Sequence, residues 1–351
     1  MCFNSKVLNK RSDIVWRLIN ICMKVILCSL LVFCIFCGFI VEHGKADRKP
    51  RIIFDTDMGP DFDDVGAITV LHALAAKGEC EILATVSSDS HVSVAPTIEI
   101  FNQYFGKPNI PIGIASAKAP GFIAHNNWND SLVLHFLKKK PTEYPNALEV
   151  YRKVLARQED NSVTIVTVGF TSNIAELLNS KPDKFSNLSG MDLVKKKVKN
   201  WVAMAGIIPN GVEFNVNEHK EAAYEAFSRW PKPILLSGFE IGDKILTGGK
   251  VAKQNISKNP AAWAYQYNLA TYDKNLLSNR PSWDQTAILC AVRNPEKYFY
   301  VNGPGKFIVN KDGSNRWDAD INAGHYFLAH KYPYEKISTI IEDLMLYEPG
   351  N

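Results

Sequence analysis

The segment Phe54–Asp64, FDTDMGPDFDD, is the feature that most constrains how this chain can fold. It holds five aspartates and a glycine, and it separates two different hydrophobic patterns. The preceding residues, Arg51–Phe54, are mostly apolar, as in a buried β-strand. In the following residues, Val65–Ala76, apolar side chains recur at helical spacing. We therefore predict that the aspartates lie on a turn between a strand and a helix.

Five carboxylates on one turn need a compensating partner. A helix N-terminus favours nearby negative charge, but five carboxylates still repel one another. A hard cation, which prefers several oxygen ligands, relieves that repulsion. The alternative is a solvated acidic turn that only caps the helix, which the apolar residues on both sides disfavour. The sequence therefore predicts a cation site at this turn.

Alternation of apolar runs and amphipathic stretches after Arg51 predicts the fold class. It indicates an α/β protein with an open, mostly parallel, Rossmann-like sheet and helices on both faces. The predicted strands are Ile52–Phe54, Ile82–Val86, Pro111–Ile114, Ser162–Val168, Asn200–Ala205 and Pro233–Leu236. The predicted helices are Val65–Ala76, Ala95–Phe105 and one that opens over Asn173–Leu178. In such a sheet the ligand site lies outside the carboxyl ends of the strands, where the acidic turn follows its strand. Two stretches rich in proline or asparagine, Ala119–Asp130 and Ser278–Trp283, are predicted to be loops over that site.

The N-terminal residues have the layout of an export signal. Basic residues precede an uncharged apolar run, Val25–Val41, and Gly44 and Ala46 stand at the −3 and −1 positions of a cleavage site. We predict a signal peptide over residues 1–46, or a membrane anchor if that segment is not cleaved. The remaining residues, 47–351, are predicted to form a single exported domain, either periplasmic or secreted.

Composition narrows the classes of partner. The net charge of +4 is slight for 351 residues, and no basic stripe interleaved with aromatic residues indicates nucleic-acid binding. Cys80 and Cys290 lie in apolar surroundings in the predicted mature chain. They are predicted to be buried free thiols, with a disulfide between them as the alternative.

Four segments carry a more specific pattern. Asp55–Asp64 is similar to a D-x-D-P-G-x-D-D motif, with two extra residues between Gly59 and the final acid pair. The other three segments are VTVGFTSNIAEL at Val166–Leu177, MAGIIPNGVEFNVNEHKEAA at Met204–Ala223 and SWDQTA at Ser282–Ala287. In this order and spacing, the four resemble the calcium-dependent nucleoside hydrolase family.

The resemblance implies a catalytic domain that hydrolyses the N-glycosidic bond of nucleosides with a bound Ca²⁺. The implied ligands are three carboxylates and one backbone carbonyl, those of Asp57, Asp64, Asp284 and Val168. Such a mixture of oxygen donors suits Ca²⁺, which takes about six to eight oxygens. The resemblance also implies that Asp57 is the general base that removes a proton from water.

The same resemblance implies a set of sugar-binding residues. Asp63 would accept a hydrogen bond from a ribose hydroxyl, although the insertion allows Asp61 to take that place instead. Other sugar hydroxyls would be held by the remaining members of the set, which are Glu213, Asn215, Asp89 and Asn210. His125 resembles a histidine of the base-side loop, and its alternative is an ordinary surface histidine.

Trp283 departs from the family pattern. Many members that accept pyrimidines carry a histidine immediately before the last calcium aspartate, where it can protonate the leaving base. An indole cannot serve as that acid, but it can stack on a purine ring. We therefore predict that purine nucleosides are preferred, with Trp283 packing only its own loop as the alternative.

Three alternative functions remain open at this point. A haloacid-dehalogenase-type phosphatase also starts with a strand and D-x-D, but Met58-Gly59 and the later motifs do not fit it. An exported sugar- or nucleoside-binding protein without turnover would keep the pocket, and a hydrolase of another ribosylated compound would keep the chemistry. For the favoured function, the expected partner is a small-molecule nucleoside taken up in purine salvage. Assembly into a homo-oligomer stays open.

Overall fold

Ten strands form one sheet in the computed structural model, which describes residues 48–137, 143–272 and 278–350. The strands of this sheet are β1 (Arg51–Thr56), β2 (Glu81–Ser87), β3 (Ile112–Gly113), β4 (Val163–Thr167), β5 (Val198–Met204), β6 (Asn210–Val212), β7 (Ile234–Ser237), β10 (Phe299–Val309), β11 (Ser314–Asp318) and β12 (His325–His330). Their order is β3-β2-β1-β4-β5-β7-β12-β10-β11-β6. Two short strands, β8 (Leu246–Thr247) and β9 (Arg280–Pro281), pair separately in an antiparallel arrangement.

Helices cover both faces of this sheet. Those in the described parts of the chain are α1 (Asp63–Ala76), α2 (Val94–Tyr104), α3 (Trp128–Phe136), α4 (Ala147–Ala156), α5 (Ser172–Asn179), α6 (Gly190–Lys197), α7 (Phe214–Asn217), α8 (Lys220–Arg229), α9 (Phe239–Gly242), α10 (Pro260–Tyr272), α11 (Trp283–Val292) and α12 (Tyr334–Met345). None of them is long and apolar enough to cross a membrane.

The parallel part of the sheet confirms the predicted α/β class. Strands β3, β2, β1, β4, β5, β7 and β12 run parallel to one another. The chain leaves β1 toward β2 on one side and returns to β4 on the other, so β1 and β4 flank a topological switch point, where ligands bind in open α/β sheets. All six predicted strands are present with small boundary shifts. Helix α1 begins at Asp63 rather than Val65, so Asp63 and Asp64 lie in its first turn.

An antiparallel extension was not predicted. Strands β10, β11 and β6 continue the sheet beyond β12 in antiparallel order. The middle of β10 is Gly303-Pro304-Gly305, where the pairing with β12 shifts register. Glycine and proline interrupt a strand pattern in the sequence, so a periodicity argument does not find this strand.

Successive side chains of β1 point to opposite faces of the sheet and belong to two hydrophobic cores. Ile52 and Phe54 pack with α1, α2, α10, α11 and α12. Ile53 packs on the other face with α4, α5, α6 and α8. Cys80 and Cys290 are buried free thiols, as their apolar surroundings predict, and they do not form the alternative disulfide.

The predicted export signal lies outside the described residues. Residues Lys49–Asn351 group as one compact unit. The predicted boundary at residue 46 stays a prediction, as does the choice between a cleaved signal and an anchor.

Candidate active site

A cavity of about 150 Å³ opens at the carboxyl ends of β1 and β4. Its lining residues are Asp57, Pro60, Asp61, Asp63, Asp64, Val168, Met204, Glu213, Phe214, Asn215, Phe239, Trp283 and Asp284. The sequence did not predict Pro60, Met204, Phe214 or Phe239 as site residues. A larger open groove of about 740 Å³, between α4, α5 and α8, contains none of the predicted site residues. The predicted chemistry therefore belongs to the smaller cavity.

The acidic turn is held in shape by its own hydrogen bonds. The Thr56 hydroxyl donates to Asp64, and the Met58 backbone N–H donates to Asp64 Oδ1 at 3.2 Å. Met58 has a φ of 24°, a left-handed value that turns the chain sharply after β1. These contacts fix the Asp64 carboxylate directly after the strand.

Three buried carboxylates converge at the base of the cavity. Oxygens of Asp63, Asp64 and Asp284 lie within 4.8 Å of one another. Asp284 stands in the first turn of α11, and its backbone N–H donates to Asp63 Oδ2 at 3.1 Å. Asp57 lines the same cavity and is also buried. We call these four aspartates, Asp57, Asp63, Asp64 and Asp284, the acidic floor.

The acidic floor is electrostatically unfavourable when it is fully ionised. Burial raises the pKa of Asp64 to about 6. Burial, and then repulsion from the neighbouring carboxylates, raises the pKa of Asp57, Asp63 and Asp284 well above the usual range. An all-oxygen donor set of this kind suits a hard divalent cation, which replaces the protons and relieves the repulsion. The residues present therefore fit the implied metal.

A glycine allows the ends of β1 and β4 to approach each other. A Cβ atom at Gly169 would lie 2.5 Å from the Asp57 backbone nitrogen and 2.7 Å from Asp57 Cβ, closer than real Cβ atoms come. Glycine thus brings the carbonyl of Val168 to the same cavity as Asp57.

Glu213 and Asn215 are oriented by backbone contacts. The Glu213 carboxylate accepts N–H bonds from Asn215 at 2.8 Å, Gly206 at 3.1 Å and Val216 at 3.2 Å, and it thereby caps α7. Burial raises the pKa of this carboxyl group. Asn215 Nδ2 donates to the Val168 carbonyl at 3.1 Å. This bond links the predicted sugar-binding segment to the predicted carbonyl ligand.

Three other predicted residues do not line the cavity. Asp89 is buried, and its carboxylate accepts N–H bonds from His91 at 2.6 Å and Phe122 at 2.9 Å. Burial raises the pKa of Asp89 to about 6. Asn210 is exposed on β6, and His125 is exposed in the loop before α3. Their assigned roles stay predictions without a cavity contact.

Asp61 forms an ion pair that sequence reasoning missed. Arg280 Nε donates to Asp61 Oδ1 at 3.1 Å, and Arg280 Nη2 donates to Asp61 Oδ2. The guanidinium carbon lies 5.5 Å from the Phe62 ring centroid and 5.4 Å from that of Trp283. The sequence signals for this pair were weak. They were a single arginine just before SWDQTA and an aspartate in the two-residue insertion of the acidic turn.

The mouth of the cavity is aromatic. Trp283 stacks on Phe239 with ring centroids 5.2 Å apart, and its indole N–H donates to the Phe239 carbonyl at 2.9 Å. Phe214 belongs to a second aromatic cluster, in which its ring centroid lies 5.6 Å from that of Phe122 and 6.0 Å from that of Phe170. We call Phe214, Phe239 and Trp283 the aromatic rim. Unlike the acidic floor, all three rim side chains are partly exposed.

Comparisons with known proteins identify the family to which this chain belongs. The sequence model of the family described as inosine-uridine preferring nucleoside hydrolase matches residues 52–328. Protein C1683.06c of Schizosaccharomyces pombe is 28% identical over 270 residues, which cover 71% of this chain and 81% of that protein. The pyrimidine-specific ribonucleoside hydrolase RihA of Escherichia coli O1:K1 is 28% identical over 204 residues, which cover 55% of this chain and 61% of RihA.

A solved structure shows the same fold. The purine-preferring ribonucleoside hydrolase from Gardnerella vaginalis superposes with a TM-score of 0.64 at 18% sequence identity. The superposition covers 84% of this chain and 99% of that protein.

Proposed function

Because the chain belongs to the inosine-uridine preferring nucleoside hydrolase family, we propose that it hydrolyses ribonucleosides with Ca²⁺ as cofactor and prefers purines. Family membership confirms the predicted enzyme class, an N-glycosyl hydrolase that acts on ribonucleosides. The choice of cation and of base belongs to the proposal. The observation that carries it is the acidic floor, which lies beneath the aromatic rim in one cavity.

Asp57, Asp64, Asp284 and the Val168 carbonyl would hold the ion. The clustering of Asp64 and Asp284 within 4.8 Å supports this set, and the same cluster includes Asp63. Asp63 would thus lie next to the ion and would also accept a hydrogen bond from a ribose hydroxyl. When bound, Ca²⁺ would lower the pKa of a water molecule and make that water a better nucleophile.

Asp57 is the proposed general base. In the reaction, water adds to C1′ of the ribose, the bond from C1′ to the base nitrogen breaks, and its electron pair stays on the base. Asp57 takes the proton that the water loses. General-base help of this kind contributes about 10²–10⁴-fold.

The sugar is proposed to bind between the acidic floor and α7. Breaking the N-glycosidic bond builds positive charge on the ribose ring, and nearby carboxylates stabilise that charge. Asn215 and Glu213 line this side of the cavity and would hold sugar hydroxyls. Their backbone contacts set their positions before substrate binds, which limits the ordering cost of binding.

The aromatic rim supports the purine preference. A cavity of about 150 Å³ is smaller than the roughly 300–1,000 Å³ of pockets that enclose drug-sized ligands. It therefore suits the sugar and leaves the base at the rim. A purine offers more stacking area there than a pyrimidine. A larger ribosylated compound would extend past the rim into solvent.

We extend the proposal to export, on the basis of the N-terminal apolar run Val25–Val41 and the small residues Gly44 and Ala46. Mass spectrometry of the native protein should find a mature chain that starts at Asp47. A membrane-bound chain that retains its first residues would support the anchor instead.

The proposed function is tested with purified protein and a panel of nucleosides. Release of reducing sugar is measured with calcium present and again after chelation. We expect ribose from inosine and adenosine at higher kcat/KM than from uridine, and none after chelation. Tight nucleoside binding without ribose release would instead identify a binding protein.

A further inference from the structure

Arg280 is a positive charge next to the base side of the site, and none of the proposed roles uses it. Its guanidinium carbon lies 5.4 Å from the ring centroid of Trp283. Its partner in the ion pair, Asp61, lines the cavity together with Trp283. The Arg280 side chain is 33% exposed, so a base seated at the aromatic rim would displace solvent from it.

Trp283 cannot supply what the leaving base needs. When the N-glycosidic bond breaks, its electron pair moves onto the base nitrogen, and the base becomes anionic unless a proton arrives. The Trp283 indole N–H already donates to the Phe239 carbonyl at 2.9 Å. The side chain at this position therefore has no proton to give to the departing base.

We propose that Arg280 stabilises the negative charge that develops on the leaving base, and this role rests on the proposed function. The guanidinium keeps its proton throughout. The electron pair of the broken bond stays on the base, which later takes a proton from solvent, and the proton of the attacking water goes to Asp57. Arg280 thus contributes charge rather than acid chemistry.

The contacts of Arg280 explain how its charge is held toward the rim. Asp61 binds Nε and Nη2 of the guanidinium, and a planar fork bound in this way has a defined orientation. The rings of Phe62 and Trp283 lie 5.5 and 5.4 Å from the guanidinium carbon. A charge fixed before the reaction stabilises a transition state without reorganisation at the moment of bond breaking.

A purely structural role makes a different prediction. Arg280 joins the acidic turn, through Asp61, to the segment that leads into α11. If the ion pair only holds the acidic floor in place, its loss weakens every substrate equally. If Arg280 stabilises the leaving base, its loss weakens only substrates whose leaving group needs that help.

The test compares inosine with p-nitrophenyl β-D-ribofuranoside, whose p-nitrophenolate leaves as a stable anion without assistance. We measure the ratio of kcat/KM for inosine to kcat/KM for p-nitrophenyl riboside, in the calcium-loaded wild type and in Arg280→Gln. We expect this ratio to fall about tenfold to a hundredfold, below the 10²–10³-fold cost of losing a direct oxyanion donor because the charge acts from a distance. Arg280→Lys, which keeps the charge without the fork, should restore part of the ratio.

Arg51→Gln is the matched control. Arg51 forms an ion pair with Glu81 at 3.0 Å and is 29% exposed, but it lies at the amino end of β1, away from the cavity. The control should leave the ratio unchanged. If Arg280→Gln does not fold, Arg280→Met, which keeps the long apolar stem without the charge, takes its place, because a ratio equal to that of the wild type with uniformly lower rates would then indicate a structural role.

A change in the ratio of less than about threefold in Arg280→Gln overturns the role, whatever the absolute rates, since one direct donor is worth far more. A wild type that cleaves p-nitrophenyl riboside but not inosine also overturns it, while leaving the hydrolase chemistry intact. A wild type that cleaves neither compound refutes the proposed function and this role together.

Discussion

The acidic floor and the aromatic rim of the cavity are built in different ways. The floor aspartates are 2–5% exposed, and they stand directly after β1 or in the first turns of α1 and α11. The rim side chains are partly exposed, and each is the first residue of a helix, namely α7, α9 or α11. Buried groups keep a fixed geometry, whereas surface positions tolerate change.

This difference assigns different tasks to the two regions. The floor concentrates buried carboxylates whose raised pKa values show how unfavourable they are without a partner cation. The rim provides stacking area and lies beside the partly exposed ion pair between Asp61 and Arg280. We infer that the floor performs the chemistry shared by the family and that the rim selects the base.

The largest effect is expected from the floor. Asp57→Asn keeps the shape of the side chain but removes the proton acceptor, so kcat/KM should fall by about 10²–10⁴-fold for every nucleoside. Steady-state kinetics on inosine and uridine measure this loss. Phe239→Ala, a rim variant, should keep measurable turnover. Near-normal turnover in Asp57→Asn would show that Asp57 is not the general base.

Metal removal tests the floor as a whole. Chelation should abolish turnover reversibly and lower the melting temperature, because an ion that binds only the folded state stabilises it by about 2.7 kcal/mol at 100 times its Kd. Calorimetry with and without calcium measures the shift. Metal analysis that finds no divalent ion after calcium-supplemented purification would contradict the proposed cofactor.

The pH dependence of that shift follows from the pKa of Asp64. In the metal-free fold this pKa is raised to about 6, above the value of about 3.9 for an unfolded aspartate. The folded state thus binds a proton at Asp64 more tightly than the unfolded state does. The resulting contribution to the free energy of unfolding is present at low pH and lost as the pH rises through 6. Calcium replaces the proton, so the melting-temperature gain from calcium should be larger at pH 8 than at pH 5. An equal gain at both pH values would show that the ion does not bind these carboxylates.

A smaller effect is expected at the boundary between floor and rim. Asn215→Ala removes the amide that we propose to bind the sugar, which also donates to the Val168 carbonyl at 3.1 Å. Hydrogen bonds to charged groups are worth about 1.5–3 kcal/mol, so kcat/KM should fall roughly tenfold to a hundredfold for purines and pyrimidines alike. A loss confined to one class of base would instead place Asn215 on the base side.

The smallest effect, and the most selective, is expected from the rim. Trp283→Ala removes a stacking surface worth about 0.5–1.5 kcal/mol beyond its buried area. Turnover of inosine should fall roughly tenfold and that of uridine less. Equal losses, or a wild-type preference for uridine, would show that Trp283 only packs against Phe239.

Local patterns were enough to predict six of the seven parallel strands and three of the helices. Among them, β1, α1 and β4 follow from short stretches of sequence, whereas the parallel strand β12 was not predicted. The antiparallel extension could not be predicted in this way, because β11 pairs with β6 from a distant part of the chain and β10 is interrupted by glycine and proline. Such pairing depends on the packed sheet rather than on the pattern of any one strand.

The sequence by itself determined the acidic turn, its place at the end of a buried strand and the aspartate of SWDQTA. These depend on residue type and on local hydrophobic spacing, which a single chain displays directly. Only the tertiary structure decided that Asp61 pairs with Arg280, which is 219 residues away, and that Phe214, Phe239 and Trp283 share the rim. Contacts between distant segments depend on how the sheet and its helices pack, and no local pattern encodes that arrangement.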